Sequence, residues 1–282
     1  MKIECFNQPL MLEIGGALSY INVTVTTGRD PEGTLLCLHD IIGKGADFQP
    51  LADVLAAKGW KVIAPDFPGR GRSARVPSHY YTFGLGVDVA AAVLRAHPAQ
   101  RTFILGCGWG ATLALAVENT WRPAPLRIVL CDLPMIWTYG DDPRTQLWSQ
   151  LANVQTATDT EFMETAQKLT ASFSVPMTDI LDLVKSRLNG PDGARSLGVD
   201  PGVFEILHQT ARQPFAAGHM LRVSRAEMFL LYSRAGHGSK QKLYLDRFMP
   251  NRKPLFAEVS SASFGDWDDA GTLLPILGAI LC

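Results

Sequence analysis

The sequence predicts an α/β protein, with a mostly parallel sheet and helices on both of its faces. Three observations carry that expectation. Strand-length apolar runs alternate with helix-length amphipathic segments as far as Cys131, the pattern of successive βα units. Several of those runs are apolar almost without interruption, as in Thr34-Leu-Leu-Cys-Leu38 and Leu126-Arg-Ile-Val-Leu-Cys131, which is what strands covered on both faces require. Between them, Thr102-Phe-Ile-Leu runs into the glycine-rich corner Gly106-Cys107-Gly108-Trp109-Gly110, and Ala111-Thr-Leu-Ala-Leu-Ala leaves it. That is a strand, a very tight turn and a helix.

Leu18 to Thr27 sets Ile21, Val23 and Val25 against Tyr20, Asn22 and Thr24, the alternation of a strand. Asp30-Pro-Glu-Gly33 is a turn, Thr34 to Leu38 a central strand, and His39-Asp40-Ile41-Ile42-Gly43 its exit. Phe48 to Lys58, with Leu51, Val54 and Leu55 on one side, is a helix closed by Gly59. Lys61 to Ala64 is the next strand and leads into Pro65-Asp66-Phe67-Pro68-Gly69-Arg70-Gly71-Arg72-Ser73. A helix from about Thr82 to Ala96 precedes the central corner, and the strand after it ends at Asp132.

From Pro134 to Val223 the pattern changes to helices without strands, at Gln146–Ala157, Asp159–Ser172, Thr178–Leu188 and Val203–Arg212, with Asn189-Gly-Pro-Asp-Gly193 as a break. Strands return at Glu227–Tyr232 and Pro254–Val259, with helices expected around Gln241–Phe248 and Asp269–Ile280.

Composition narrows the function classes. A chain of 282 residues with 47% hydrophobic residues buries about three quarters of its unfolded surface and needs no staples. A net charge of −1 argues against a nucleic-acid or membrane-surface partner. Arg70, Arg72 and Arg75 form a short basic run in a glycine-rich loop and read as a solvated turn. The five cysteines contain no C-x-x-C pair, so neither a disulfide framework nor a metal site is expected, and no cofactor is implied. Met1 to Pro9 has no apolar leader segment, and Leu273 to Cys282 is short and interrupted by Pro275, so a cytoplasmic protein without a membrane span is expected.

The corner admits two chemistries. Gly106, Gly108 and Ala111 fit the dinucleotide pattern G-x-G-x-x-G/A, with Asp132 where a ribose-binding acid would sit. The same residues fit a strand–turn–helix elbow, small-x-nucleophile-x-small, whose central position is here Gly108.

The order of these segments resembles the α/β-hydrolase family over nearly the whole chain. The strand ending in His39-Asp40 is similar to the family's strand-His-Gly step. Pro65-Asp66-Phe67-Pro68-Gly69-Arg70-Gly71-Arg72-Ser73 looks like its P-D-x-x-G-x-G-x-S loop, and the elbow follows at a suitable distance. The resemblance implies an eight-stranded, mostly parallel sheet, with a core of residues 1–133 and 224–282 and a helical cap, residues 134–223, inserted after the sixth strand. It also implies a Ser-acid-His triad and an oxyanion hole of backbone N–H groups, here those of Ile41 and Trp109.

Position by position, the chemistry of that family is missing. The nucleophile position is Gly108. No histidine follows His237, and Phe264 stands about where the catalytic one belongs. The glycine beside the oxyanion hole is Asp40, whose carboxylate, if turned inward, opposes a developing oxyanion. Cys107 adjoins the vacant position, but an elbow presents only its central side chain, so Cys107 reads as a packed thiol. His237 with Asp266 or Asp268 forms an alternative acid–base set without a nucleophile.

The leading expectation is therefore a non-hydrolytic pseudoenzyme that binds a small apolar or amphipathic ligand in a capped cleft lined by Asp40, Trp109, Phe264 and Trp267. The alternatives are a lyase- or isomerase-type enzyme acting through His237 and Asp266, an ester or amide hydrolase, and a partner-docking protein. The sequence leaves the oligomeric state open.

Overall fold

A computed structural model of the chain describes residues 2–123, 125–134, 136–137, 143–173, 177–190, 194–205, 215–233, 255–259 and 270–281. Eight strands form one sheet: β1 Glu4–Ile14, β2 Ala17–Thr27, β3 Gly33–Leu38, β4 Trp60–Pro65, β5 Thr102–Cys107, β6 Arg127–Cys131, β7 Glu227–Ser233 and β8 Leu255–Val259. Their spatial order is β1-β2-β4-β3-β5-β6-β7-β8. β2 pairs antiparallel with both neighbours and every other pairing of adjacent strands is parallel. β2 alone therefore runs against the rest.

The alternation of side chains across the pleat divides the core into two layers. Leu36, Leu38, Ile104, Ile128 and Leu130 face one side, under α2 Phe83–Ala96 and α3 Trp109–Thr120. Leu35, Cys37, Phe103, Leu105, Cys107 and Cys131 face the other, under α1 Gln49–Ala57 and α8 Ala270–Leu281. With both faces covered, β3 is buried along its whole length. Local chemistry sets the helix starts: Thr82 Oγ1 accepts from the Leu85 N–H at 3.1 Å ahead of α2.

Between β6 and β7 lie α4 Pro143–Ala152, α5 Asp159–Ser172, α6 Met177–Arg187 and α7 Ala217–Val223. Thr158 and Glu161 form a reciprocal capping box at the start of α5. Several expectations need correction here. The first helix begins at Pro143 and stops at Ala152, and Thr156 beyond it bridges Arg195. The region is not free of strands: Leu188–Asn189 pairs with Ser196–Leu197, and Ile136–Trp137 with Phe215–Ala216. Two-residue ladders are too short for periodicity to register. β1 and α7 were not expected. The helices expected at Gln241–Phe248 and over the later part of Val203–Arg212 lie outside the described residues. Among the described residues, no helix is long and apolar enough to cross a membrane.

Candidate functional site

The corner sits where β5 ends and α3 begins, at the carboxyl end of the central strands. The helix packs against the strands so closely that side chains are excluded on either side of the turn. A Cβ on Gly106 would lie 2.6 Å from Ala111 Cα, and one on Gly110 would lie 2.7 Å from the His39 carbonyl oxygen. Between them Gly108 adopts φ +52° and ψ −114°, a conformation that costs a residue with a side chain about 1–3 kcal/mol. Its N–H donates to the Cys131 carbonyl at 2.9 Å, which ties the turn to β6.

Asp40 occupies the space above this turn. Its Oδ1 accepts from the Ile41 N–H at 2.7 Å and from the Trp109 N–H at 2.8 Å. A Cβ built on Gly108 would fall 2.6 Å from Asp40 Oδ2 and nearer still to Cγ and Oδ1. The carboxylate therefore stands in the volume of an elbow's nucleophile, bonded to the two amides the resemblance assigns to an oxyanion hole. Asp40 is exposed while Ile41 and Trp109 are buried. Charge-assisted bonds of this kind are about twice as strong as neutral ones.

The surrounding side chains brace that arrangement. His39 Nδ1 lies 2.6 Å from the Asp40 carbonyl, and its Nε2 accepts from the Phe67 N–H at 3.1 Å. Burial pushes the imidazole down to about 3, with the Arg70 and Arg187 charges acting in the same direction. It is thus a neutral ring with both nitrogens engaged, the Nδ1–H donating to the Asp40 carbonyl. Phe67 stacks edge-on to both His39 and Trp109, with ring centroids 4.8 Å and 5.0 Å away.

Arg70 corrects the expectation of a solvated basic run. It is 4% exposed, donates from Nε to the Ile41 carbonyl and from Nη1 to the Pro68 carbonyl, both at 2.9 Å, and lies 5.0 Å from the centre of the Trp109 ring. Arg72 and Arg75 are exposed as expected. Asp66, on the same loop, accepts from Gly45 N–H at 2.6 Å, and from Asn22 Nδ2 and Arg72 N–H at 2.9 Å. Gly71 is required beside it, since a Cβ there would come within 2.7 Å of Asp66 Oδ1.

Cys107 lies on the opposite face of the sheet from Trp109, in register with Cys131. Burial pushes its thiol well above the usual range, followed by the hydrogen bond with Cys131, so the nucleophilic thiolate is disfavoured. Asp132, at the end of β6, takes a positive φ of 48°, which aspartate tolerates better than most residues. Its charge contributes to raising the neighbouring Tyr232 hydroxyl, after burial as the main cause. His237, Phe264, Asp266, Trp267 and Asp268 all lie outside the described residues.

Beside the corner, Phe67, Arg70, Tyr81, Leu85 and Trp109 help to line a cavity of about 10 Å³, the room of one water. Among the described residues, no three His, Cys, Asp or Glu side chains are grouped to hold a metal ion. Sequence reasoning missed Arg70, Asp47 and Arg187. The last two form an ion pair whose side chains are only 9% and 7% exposed, and nothing in either local sequence reports a partner so far along the chain.

Residues 33–119 match the model of the alpha/beta hydrolase fold family. A zearalenone hydrolase of Bionectria ochroleuca is 28% identical over 144 residues, which are 49% of this chain and 50% of that protein; the match thus spans about half the length of that curated relative. Among solved structures, E-2-(acetamidomethylene)succinate hydrolase superposes with a TM-score of 0.73 at 18% identity, covering 98% of this chain and 100% of the other. The thioesterase domain from the curacin biosynthetic pathway gives 0.71 at 19% identity, over 98% of this chain and 99% of its own. With the sheet order, the single reversed strand and the glycine corner on β5, these similarities show that the chain has the α/β-hydrolase fold.

Proposed function

We propose that this chain is a non-hydrolytic member of the α/β-hydrolase family, a pseudoenzyme that uses the cleft of that fold for binding or regulation. The observation that carries the reading is the Asp40 carboxylate, bonded to the Ile41 and Trp109 amides above Gly108. The relatives named above include proteins called hydrolases, and acyl transfer on this fold needs a nucleophile and a vacant pair of donors. Here the nucleophile position holds a glycine and both donors are taken.

The energetic consequence is large. Losing the nucleophile alone costs on the order of a millionfold in turnover, as in subtilisin. One oxyanion-hole donor is worth about 2.7–4 kcal/mol. A second negative oxygen placed about 4 Å from Asp40 would instead meet a repulsion of about 1–4 kcal/mol, depending on how much water reaches the pair. The site has changed from one that stabilises an oxyanion into one that opposes it.

In this reading residues 1–133 and 224–282 form the core, residues 134–223 form the cap, and a small apolar or amphipathic ligand occupies the cleft between them. Steady-state turnover of a panel of p-nitrophenyl acyl esters tests it. The expected result is no rate above buffer. Enzymatic turnover overturns the reading, and comparison with Cys107→Ala then shows whether that thiol supplies it. Native mass spectrometry of protein purified from its own host would identify the ligand.

A further inference from the structure

The last residues of α6 and the short strand after it, residues 186–189, run beside residues 195–200, and these two legs pair as a short antiparallel ribbon at Leu188–Asn189 and Ser196–Leu197. Leu188 pairs with Leu197 and Asn189 with Ser196, and the Gly198 N–H donates to the Arg187 carbonyl at 3.0 Å. Each leg is fastened at its base to a different core loop. On the first leg, Arg187 pairs with Asp47 in a nearly buried ion pair, and Lys44 Nζ reaches the Ser186 carbonyl at 3.4 Å. On the second, Val199 bridges Arg70, the Asp200 N–H donates to the Gly69 carbonyl at 2.7 Å, and the Tyr81 hydroxyl donates to Asp200 Oδ2 at 2.8 Å. Leu197 and Val199 are buried in the same apolar cluster as Phe67 and Trp109.

The two gripped loops are the ones that shape the corner, and they are tied to each other. Arg70 Nε donates to the Ile41 carbonyl, and Asp66 Oδ1 accepts from the Gly45 N–H. A continuous set of contacts thus runs from Val199 through Arg70 and Ile41 to the Asp40 carboxylate. Packed groups with few alternative arrangements respond to such a tether by switching between discrete states.

We infer that the ribbon is a clasp that holds the Asp40 carboxylate on the Ile41 and Trp109 amides, so that displacing the ribbon releases the carboxylate and bares both donors. This rests on the proposed reading of Asp40 as the occupant of that site, and adds a way for events at the ribbon to control it. The buried ion pair suits a clasp. It adds little net stability while intact, yet removing either partner strands the other charge, so the base of the ribbon is disposed to hold or release as a unit.

Backbone hydrogen exchange on the full chain tests the clasp. Asp47→Asn with Arg187→Gln cuts the first fastening without leaving a buried unpaired charge, and Tyr81→Phe weakens the second. Both variants are expected to speed exchange at Ile41 and Trp109 by about 2- to 30-fold, the range carried by coupling through packed contacts. Ile104 and Val129, in the central strands, should keep their wild-type rates. Lys2→Gln, which removes only an exposed 3.4 Å pair with Glu4, should change neither amide. Wild-type Ile41 and Trp109 amides that exchange as freely as in an unfolded peptide would overturn the Asp40 reading and the clasp together. Protected amides that ignore both variants, or acceleration equal across all strands, would overturn the clasp alone.

Discussion

Replacing Gly108 with alanine should expose how closely Asp40 fills the corner. Two costs combine in the single variant. The backbone at φ +52° charges a residue with a side chain about 1–3 kcal/mol. The new Cβ would also lie 2.6 Å from Asp40 Oδ2, which forces the carboxylate off its two amides. Giving up that charge-assisted bonding costs about a further 1.5–3 kcal/mol, so Gly108→Ala should destabilise the fold by about 2.5–6 kcal/mol in all. In an Asp40→Gly background the second cost has already been met, and only the backbone strain remains. A double-mutant cycle on urea unfolding, followed by tryptophan fluorescence, should therefore give a coupling of about 1.5–3 kcal/mol, well above the few tenths that separate independent sites. Equal costs of Gly108→Ala in both backgrounds would refute the placement of Asp40.

Other predictions follow from side chains around the same corner. Arg187→Met should destabilise the protein by about 3–5 kcal/mol in urea, because it strands the buried Asp47; adding Asp47→Asn should recover part of the loss. His39 is held neutral, with its pKa lowered from 6.5 to about 3, so the unfolded chain binds one more proton between those values. Its contribution is complete above pH 6.5 and is lost as pH falls towards 3, with a slope of up to about 1.4 kcal/mol per pH unit. His39→Asn should flatten the stability profile across that window, and an unchanged profile would contradict the assignment. Among Cys5, Cys37, Cys107 and Cys131, iodoacetamide should label only the exposed Cys5 in the native protein, as read by peptide mass mapping; modification of Cys107 before unfolding would oppose its placement in the core.

What could be foreseen from sequence follows from how local each cause is. β3, β5 and β6 are visible as apolar runs because the helices on both faces leave polar residues only at the strand starts, at Thr34, Thr102 and Arg127. The corner is visible because glycine spacing is the direct trace of backbone against backbone, at Gly106 and Gly110. β1 escapes notice because it is an edge strand: Asn7, Pro9 and Glu13 are exposed on it, and its apolar alternation is blurred. Arg70 misleads for another reason. Its charge reads as surface, but the carbonyls of Ile41 and Pro68 and the ring of Trp109 draw it inside, and two of these three partners are distant in sequence. Asp40 lies between these cases. The sequence marks it as a departure from the family pattern, while its direction depends on two amides, one adjacent and one on α3.

Intact-protein mass spectrometry after incubation with a reactive fluorophosphonate tests the central claim most directly. A corner that carries Gly108 where a nucleophile belongs, beneath a carboxylate that already holds both amide donors, should leave the mass unchanged however long the exposure. A stoichiometric phosphonyl adduct on any residue of the folded chain would contradict it.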